Sequence, residues 1–152
     1  GSEFSALGGL LVAVGAANLL GGTVWGRQSD VSSRRVLIRA GWIAAAACGG
    51  LFAVVQLHWT SSLIYAGLYF VLSLAHSGVR LGRSTYLIDM ATQETRAAYT
   101  AVSNTLIGVL LLAGGSLSLL EPWLGPDGMV LLFGCGAVLA ALAAQRLPEI
   151  ED

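Results

Sequence analysis

The sequence GTVWGRQSDVSSRRVLI, residues 22–38, joins two long apolar segments and decides how the rest of the chain is organised. It contains Asp30 and three arginines, whereas residues 4–26 and 40–79 contain no Asp, Glu, Lys or Arg. About 20 apolar residues of helix are enough to cross the ~30 Å hydrocarbon core of a bilayer. Residues 22–38 therefore include a charged loop between two membrane-spanning helices.

The composition of the whole chain agrees with this interpretation. Of its 152 residues, 55% are hydrophobic and 11% are charged, and the mean hydropathy is +0.74. In soluble domains about a quarter of residues are charged. The sequence therefore predicts an all-α integral membrane protein whose first partner is the lipid bilayer, and it indicates no nucleic-acid binding.

The apolar segments predict five transmembrane helices within residues 5–147, at about 5–28, 35–57, 62–88, 94–120 and 128–146. Proline and glycine in residues 121–128 are expected to separate the last two. Residues 1–4 are interpreted as a cloning remnant or an external loop, and residues 148–152 as a cytoplasmic tail. Because Gly1 is not an initiator, we expect that sequence upstream of it was removed.

Arginine positions predict the orientation of these helices. All eight basic residues are Arg, and they lie around the first and third loops and at the start of the tail. Basic residues flank the cytoplasmic ends of membrane helices. We therefore expect both loops and the C-terminus inside and the N-terminus outside. Lys-free, Ala- and Gly-rich usage would suit a GC-rich bacterial genome, which favours a bacterial inner membrane.

The first helix has one face of small and polar residues, formed by Gly15, Asn18, Gly22 and Gly26. Small residues allow a neighbouring helix to approach closely. Asn18 lies near the middle of the membrane, where a polar group needs a partner. Two interpretations stay open for it, a hydrogen bond between helices and a place in the wall of a cavity.

The third helix has a polar stripe at intervals of three and four residues. Its members are Tyr69, Ser73, His76, Ser77, Arg80, Arg83, Ser84 and Leu87. Since charged side chains facing lipid are costly, the stripe is expected to face protein or water. For Arg80 and Arg83 the alternative is that they snorkel to the cytoplasmic interface. Histidine is the side chain type that ordinarily changes charge near neutral pH, so His76 is a candidate for proton coupling or a structural histidine.

Two segments together resemble the major facilitator superfamily of transporters. In that family a glycine, an aspartate and paired arginines lie between the second and third helices of each half, and here Gly26, Asp30 and Arg34-Arg35 lie at a similar spacing between the first and second helices of the chain. The family usually has arginine after the aspartate and glycine before the pair, where this chain has Val31 and Ser33. Degenerate loops of this kind are typical of the C-terminal half.

The second segment runs from Asp89 through Glu94 and Arg96 to Asn104. It is similar to the family's fourth or tenth helix, which ends in an aspartate, and to the loop and helix that follow. Both segments together imply a partial six-helix half-bundle that contains helices eight to twelve and lacks the seventh. The missing partner would be the N-terminal half of the carrier or a second copy of this chain.

The resemblance also implies a conformational latch at the cytoplasmic end. Asp30 would meet the N-terminal turn of helix four, and the arginine pair would bind Asp89 or Glu94. The latch residues are Gly26, Asp30, Arg34, Arg35, Asp89, Glu94 and Arg96. The residues expected along the substrate path are Asn18, Tyr69, Ser73, His76, Ser77, Arg80 and Asn104.

The expected function is that of a fragment of a secondary active transporter, which moves a small solute by alternating access. The alternative is a small non-transporting five-span protein that acts as a scaffold or partner subunit. An enzyme is not expected, because the chain has neither a Gly-x-Ser-x-Gly nor a His-Glu-x-x-His motif. Cys48 and Cys135 lie in apolar segments and are interpreted without a disulfide or metal role. The chain has no cluster of carboxylates, and its two histidines are 18 positions apart, so no catalytic residue, metal site or cofactor is predicted.

Overall fold

The computed structural model describes residues 2–59 and 61–150, and for residues 2–6 it describes the backbone alone. The described residues form helices and no strand, which confirms the all-α class. The helices are α1 (Ser2–Ser29), α2 (Ser33–Gln56), α3 (Ser62–Met90), α4 (Arg96–Ser116) and α5 (Glu121–Gln145), with a 3₁₀ turn at Leu117–Leu120. Gly1, in the predicted cloning remnant or external loop, and residues 151–152, in the predicted tail, lie outside the described residues.

Four helical segments are long and apolar enough to cross a membrane: Leu7–Ser29, Ser33–Gln56, Ser62–Met90 and Arg96–Gln145. The last has 50 residues and comprises α4, the 3₁₀ turn and α5. An integral membrane protein with long apolar helices is thus supported, whereas the count of five spans stays a prediction.

The structure differs from the sequence prediction at the expected break between residues 121 and 128. The chain stays helical there, and within α5 only Gly125 leaves the helical conformation, at φ 65° and ψ 174°. Pro122 lies in the first turn of α5, where a missing N–H breaks no helical bond. A kink is therefore concentrated at Gly125, because glycine tolerates positive φ and the residue before Pro126 avoids the α region.

The centre of the bundle is packed where α1, α2 and α3 meet. Trp25 of α1 is buried against Val36 and Ala40 of α2. Its indole N–H donates a hydrogen bond of 2.8 Å to the carbonyl of Leu74 in α3. A Cβ atom added at Gly78 would lie 2.7 Å from the Trp25 ring, so this glycine allows the close approach of α1 and α3.

The face of α1 that packs is not the one expected from its glycines. At Gly15, Gly22 and Gly26 an added Cβ atom would meet no neighbour within 4 Å, so the predicted close approach does not occur there. The buried face lies about 100° around the helix and comprises Ala17, Gly21, Trp25 and Ser29. Because Gly21 and Gly22 are adjacent, the sequence is compatible with packing on either of two neighbouring faces of α1. The face that packs is the one that contains Gly21 and Trp25.

Helix α4 is the least packed part of the described chain. It has no buried residue. Within the described residues it makes a minor contact with α3 and none with α1, α2 or α5. Helix α5 instead packs along α2, where Gly41 lies against Ala141. At the start of α4 the N-cap residue is Thr95, and its hydroxyl group lies 2.9 Å from that of Thr92.

Candidate functional site

A cavity of about 630 Å³ lies between α1, α2, α3 and α5. Four of the seven predicted path residues are in its wall, Asn18 from α1 and Tyr69, Ser73 and His76 from α3. The rest of the wall is apolar and includes Phe133 of α5. The cavity therefore combines a large apolar volume with a few polar groups, a combination that is typical of sites for small molecules.

A second cavity of about 340 Å³ lies beside α1 and α3. Its wall contains Ser77 and Arg80 from the predicted path, together with Ser84. Asn18 lines both cavities. Of the two interpretations that the sequence left open for Asn18, the structure favours a place in a cavity wall.

Six of the eight stripe residues of α3 line one of two neighbouring cavities, and Asn104 is separate from both. Asn104 lies on α4, is exposed, and lines neither cavity. The structure therefore brings six of the predicted path residues together and leaves the seventh on the unpacked helix.

The latch residues lie around one end of the bundle, which we call the charged end and define by residues 32–35, Asp89 and Glu149. Here the Ser33 hydroxyl donates a hydrogen bond of 2.7 Å to the Asp89 carboxylate. This bond joins the start of α2 to the end of α3. Asp89 is one of the latch residues predicted from the sequence. Ser33 is not, because in the sequence it is notable only as a position where the family usually has glycine.

Arg34 has a partner that is not predicted from the sequence. Its guanidinium forms a salt bridge of 2.9 Å with Glu149 and donates to the carbonyl of Gln145 at 2.7 Å. Among the described residues this is the only salt bridge, so the predicted pairing of the arginine pair with Asp89 or Glu94 is not the arrangement found.

The other latch residues make only local contacts. The Gly26 carbonyl accepts a hydrogen bond from the Asp30 backbone N–H, while the Asp30 carboxylate is exposed and bonds to no other described residue. The Arg35 backbone N–H donates to the Ser32 hydroxyl and caps α2. Glu94 and Arg96 are exposed at the start of α4.

The C-terminal tail is held at the charged end by contacts that we call the tail clamp. Ser32 donates a hydrogen bond to Glu149, Arg34 forms its salt bridge with the same carboxylate, and Tyr86 donates to the Pro148 carbonyl at 3.1 Å. Hydrogen bonds from Ser32 and Arg34 hold the pKa of Glu149 below its ordinary value of 4.5. The tail was expected to end in water, because nothing in its sequence marks a binding partner.

The structure also places the segments predicted as cytoplasmic beside one another. The first loop, the end of α3 and the tail all meet at the charged end. Which side of the membrane this end occupies stays a prediction from the arginine positions.

Comparison with protein-family models, with curated proteins and with solved structures finds no match to this chain. The case for a function therefore depends on the geometry of the two cavities and of the charged end.

Proposed function

We propose that this chain is part of a secondary active transporter of the major-facilitator type, located in a bacterial inner membrane. The observation that carries the proposal is the polar stripe of α3, most of which lines cavities of an otherwise apolar bundle. Transporters of this kind bind solute near the bilayer midplane. His76 lies 14 residues from each end of α3, so the cavities have the depth that such a site requires.

The path of the chain supports five passes across the membrane. Both ends of Arg96–Gln145 lie near the charged end, because α4 follows Asp89 closely and α5 ends at the tail clamp. Asp127, near the start of α5, accepts a hydrogen bond of 3.2 Å from Gln56 at the opposite end of α2. A straight helix of 50 residues would separate its ends by about 75 Å. We infer that α4 crosses outward and α5 returns.

The isolation of α4 supports an incomplete half-bundle. Although α4 and α5 are consecutive, they make no contact with each other, and α4 buries no residue within the described chain. A sixth helix packed beside α4 would fill this gap. This is the element that the resemblance to the family implies is missing.

The charged end supports the proposed latch, with partners that differ from the expected ones. Ser33 with Asp89 and Arg34 with Glu149 join three segments and would close one end of the half-bundle. In the complete carrier, we expect Arg34→Gln to break the bridge to Glu149, to shift the resting population toward the inward-facing state and to lower transport. Labelling of engineered cysteines from the cytoplasmic side measures this shift, and unchanged labelling would contradict a latch role for Arg34.

The proposal is tested by the mass of the native protein in its own membrane, detected with an antibody against residues 146–152. A carrier with two six-helix halves would be roughly two to three times larger than this chain of 15.7 kDa. A native mass near 15.7 kDa would reject the proposal.

That second result would favour the alternative, a small non-transporting membrane protein that acts as a scaffold or partner subunit. The bare surface of α4 is the observation in its favour, since a partner helix would cover it. Crosslinking from a cysteine placed at Leu112, which is 79% exposed, would then capture that partner.

A further inference from the structure

Arg80 is a cation deep in an apolar helix, and no acidic group of the described chain pairs with it. The only salt bridge among the described residues belongs to Arg34, and the arginine side chains that form hydrogen bonds there are Arg34 and Arg39. Arg80 lies four residues, or about 6 Å, from the middle of α3 at His76. An ionisable side chain at such depth is costly unless it faces a partner or a water-filled cavity.

Snorkelling does not remove this cost easily. Met90, the nearer end of α3, is ten residues away, which corresponds to about 15 Å along the helix. The Cα–Cβ bond of a helical residue tilts toward the helix N-terminus, and for Arg80 this direction leads back toward the middle of the membrane. Arg80 is exposed and lines the smaller of the two cavities, and the initial direction of its side chain favours the cavities over the nearer interface.

The smaller cavity offers several hydrogen-bond donors and no acid. The residues of its wall include Arg80, Asn18, Ser77 and Ser84, whose side chains carry a guanidinium, an amide and two hydroxyl groups, and none of the wall residues is acidic. Guanidinium groups bind carboxylates and phosphates through paired hydrogen bonds. The chemistry of this wall matches an anionic group, because it has a positive charge and no acidic side chain to balance a cationic one.

The larger cavity offers an apolar volume next to this anion-binding wall. Leu51, Leu72, Val130 and Phe133 are among the residues that line its 630 Å³. Asn18 lines both cavities, so the two cavities are adjacent. A molecule with a charged head and an apolar body would be complementary to both at once.

We propose that the two cavities form one binding site for an amphipathic organic anion. Its anionic group lies at Arg80 and Asn18, and its apolar body lies in the larger cavity among Leu72 and Phe133. The anion neutralises Arg80 inside the membrane, which explains why the chain tolerates an unpaired cation there. That this anion is transported cargo rests on the proposed function, whereas its binding does not.

Binding is tested with three probes that share a phenylbutyl body and differ in the head group: 4-phenylbutyrate, 4-phenylbutan-1-ol and 4-phenylbutylamine. The full chain is placed in nanodiscs of zwitterionic lipid at about pH 8, where the acid is ionised and the amine is protonated. Competition against radiolabelled 4-phenylbutyrate is measured, and empty nanodiscs correct for partitioning into lipid. We expect the anion to bind about tenfold or more tightly than the alcohol or the amine.

Variants locate the site. Arg80→Gln should weaken binding of the anion about tenfold and leave the alcohol unchanged, and the unchanged alcohol shows that the variant is folded. Arg80→Lys should restore part of the loss, while Phe133→Ala should weaken all three probes alike. Arg27→Gln is the matched control, because Arg27 is exposed and lines neither cavity.

Equal affinity for the three probes, no binding of the anion, or an equal effect of Arg27→Gln and Arg80→Gln would each overturn the inference. These results are separate from the test of the proposed function. Anion binding by a native protein of 15.7 kDa would leave the site standing and reject the carrier. A native carrier of twelve spans that does not bind the anion would support the proposed function and reject the anion site.

Discussion

The interface between α1 and α3 and the surface of α4 both contain glycines, yet the helices pack closely at the first and no helix of the described chain packs at the second. At Gly78 of α3 the Trp25 ring lies 2.7 Å from where a Cβ atom would be. At Gly108, Gly114 and Gly115 of α4 no such neighbour lies within 4 Å. Glycine therefore permits close packing of membrane helices without causing it.

The physical reason lies in the solvent. Lipid tails are as apolar as a leucine side chain, so burying apolar surface does not by itself drive membrane helices together. Association needs complementary shape and polar contacts, and the α1–α3 interface has both in the Trp25 ring and its hydrogen bond to Leu74. Within the described chain, α4 meets no surface of this kind.

The largest expected effect is at Gly41, where α2 meets α5. A Cβ atom there would lie 2.8 Å from the Cβ and 3.1 Å from the Cα of Ala141. Because backbone must move, we expect Gly41→Val to lower the free energy of unfolding by about 3 kcal/mol, the upper end of overpacking costs. Unfolding titration with SDS in mixed micelles measures it. Gly115→Val on α4 is the control, with a change within about 0.5 kcal/mol.

A smaller loss is expected for Trp25→Phe. The substitution keeps most of the aromatic packing and removes the 2.8 Å hydrogen bond from the indole to Leu74. We expect the free energy of unfolding to fall by about 1 kcal/mol. Trp123→Phe should change it by less than about 0.5 kcal/mol, because the Trp123 side chain is 79% exposed. Equal losses at both positions would remove the distinction between the two regions.

The tail clamp should open with acid and with loss of either charge. The pKa of Glu149 is lowered by Ser32 and Arg34, so the clamp's contribution to stability is fully present above the carboxyl's ordinary pKa. It is lost only as the pH falls through the lowered value. Glu149→Gln or Arg34→Gln should release the tail at neutral pH.

A spin label on a cysteine at Ile150, in a background without Cys48 and Cys135, reports tail release as increased mobility. Glu121→Gln, a neutralised carboxylate remote in sequence from the tail, should leave the mobility unchanged. A tail equally mobile in the parent and in both clamp variants would show that the clamp does not hold it in solution.

The smallest effect is expected for Gly114→Ala on α4. Alanine favours the helix over glycine by roughly 0.5–1 kcal/mol, and nothing surrounds Gly114 to oppose the methyl group. The same unfolding titration should therefore give an unchanged or slightly higher stability. A clear loss would mean that α4 is covered in the micelle, and crosslinking would then establish whether a second copy covers it.

The sequence alone determined the all-α class, the apolar segments and the approximate ends of the first three helices. These follow from local properties: hydropathy over about 20 residues and the periodicity that places Tyr69, Ser73 and His76 on one side of α3. It also identified Asn18 as one of six residues that line the cavities.

Only the tertiary structure decided which residues meet. It selected Gly21 over Gly22 for packing on α3, paired Arg34 with Glu149 rather than Asp89, and left α4 without a neighbour. Glu149 is 115 positions from Arg34 in sequence. Any of several carboxylates in the chain could form an equivalent salt bridge with an arginine. The choice between such equivalent partners depends on how the helices cross, and that is a property of the whole bundle.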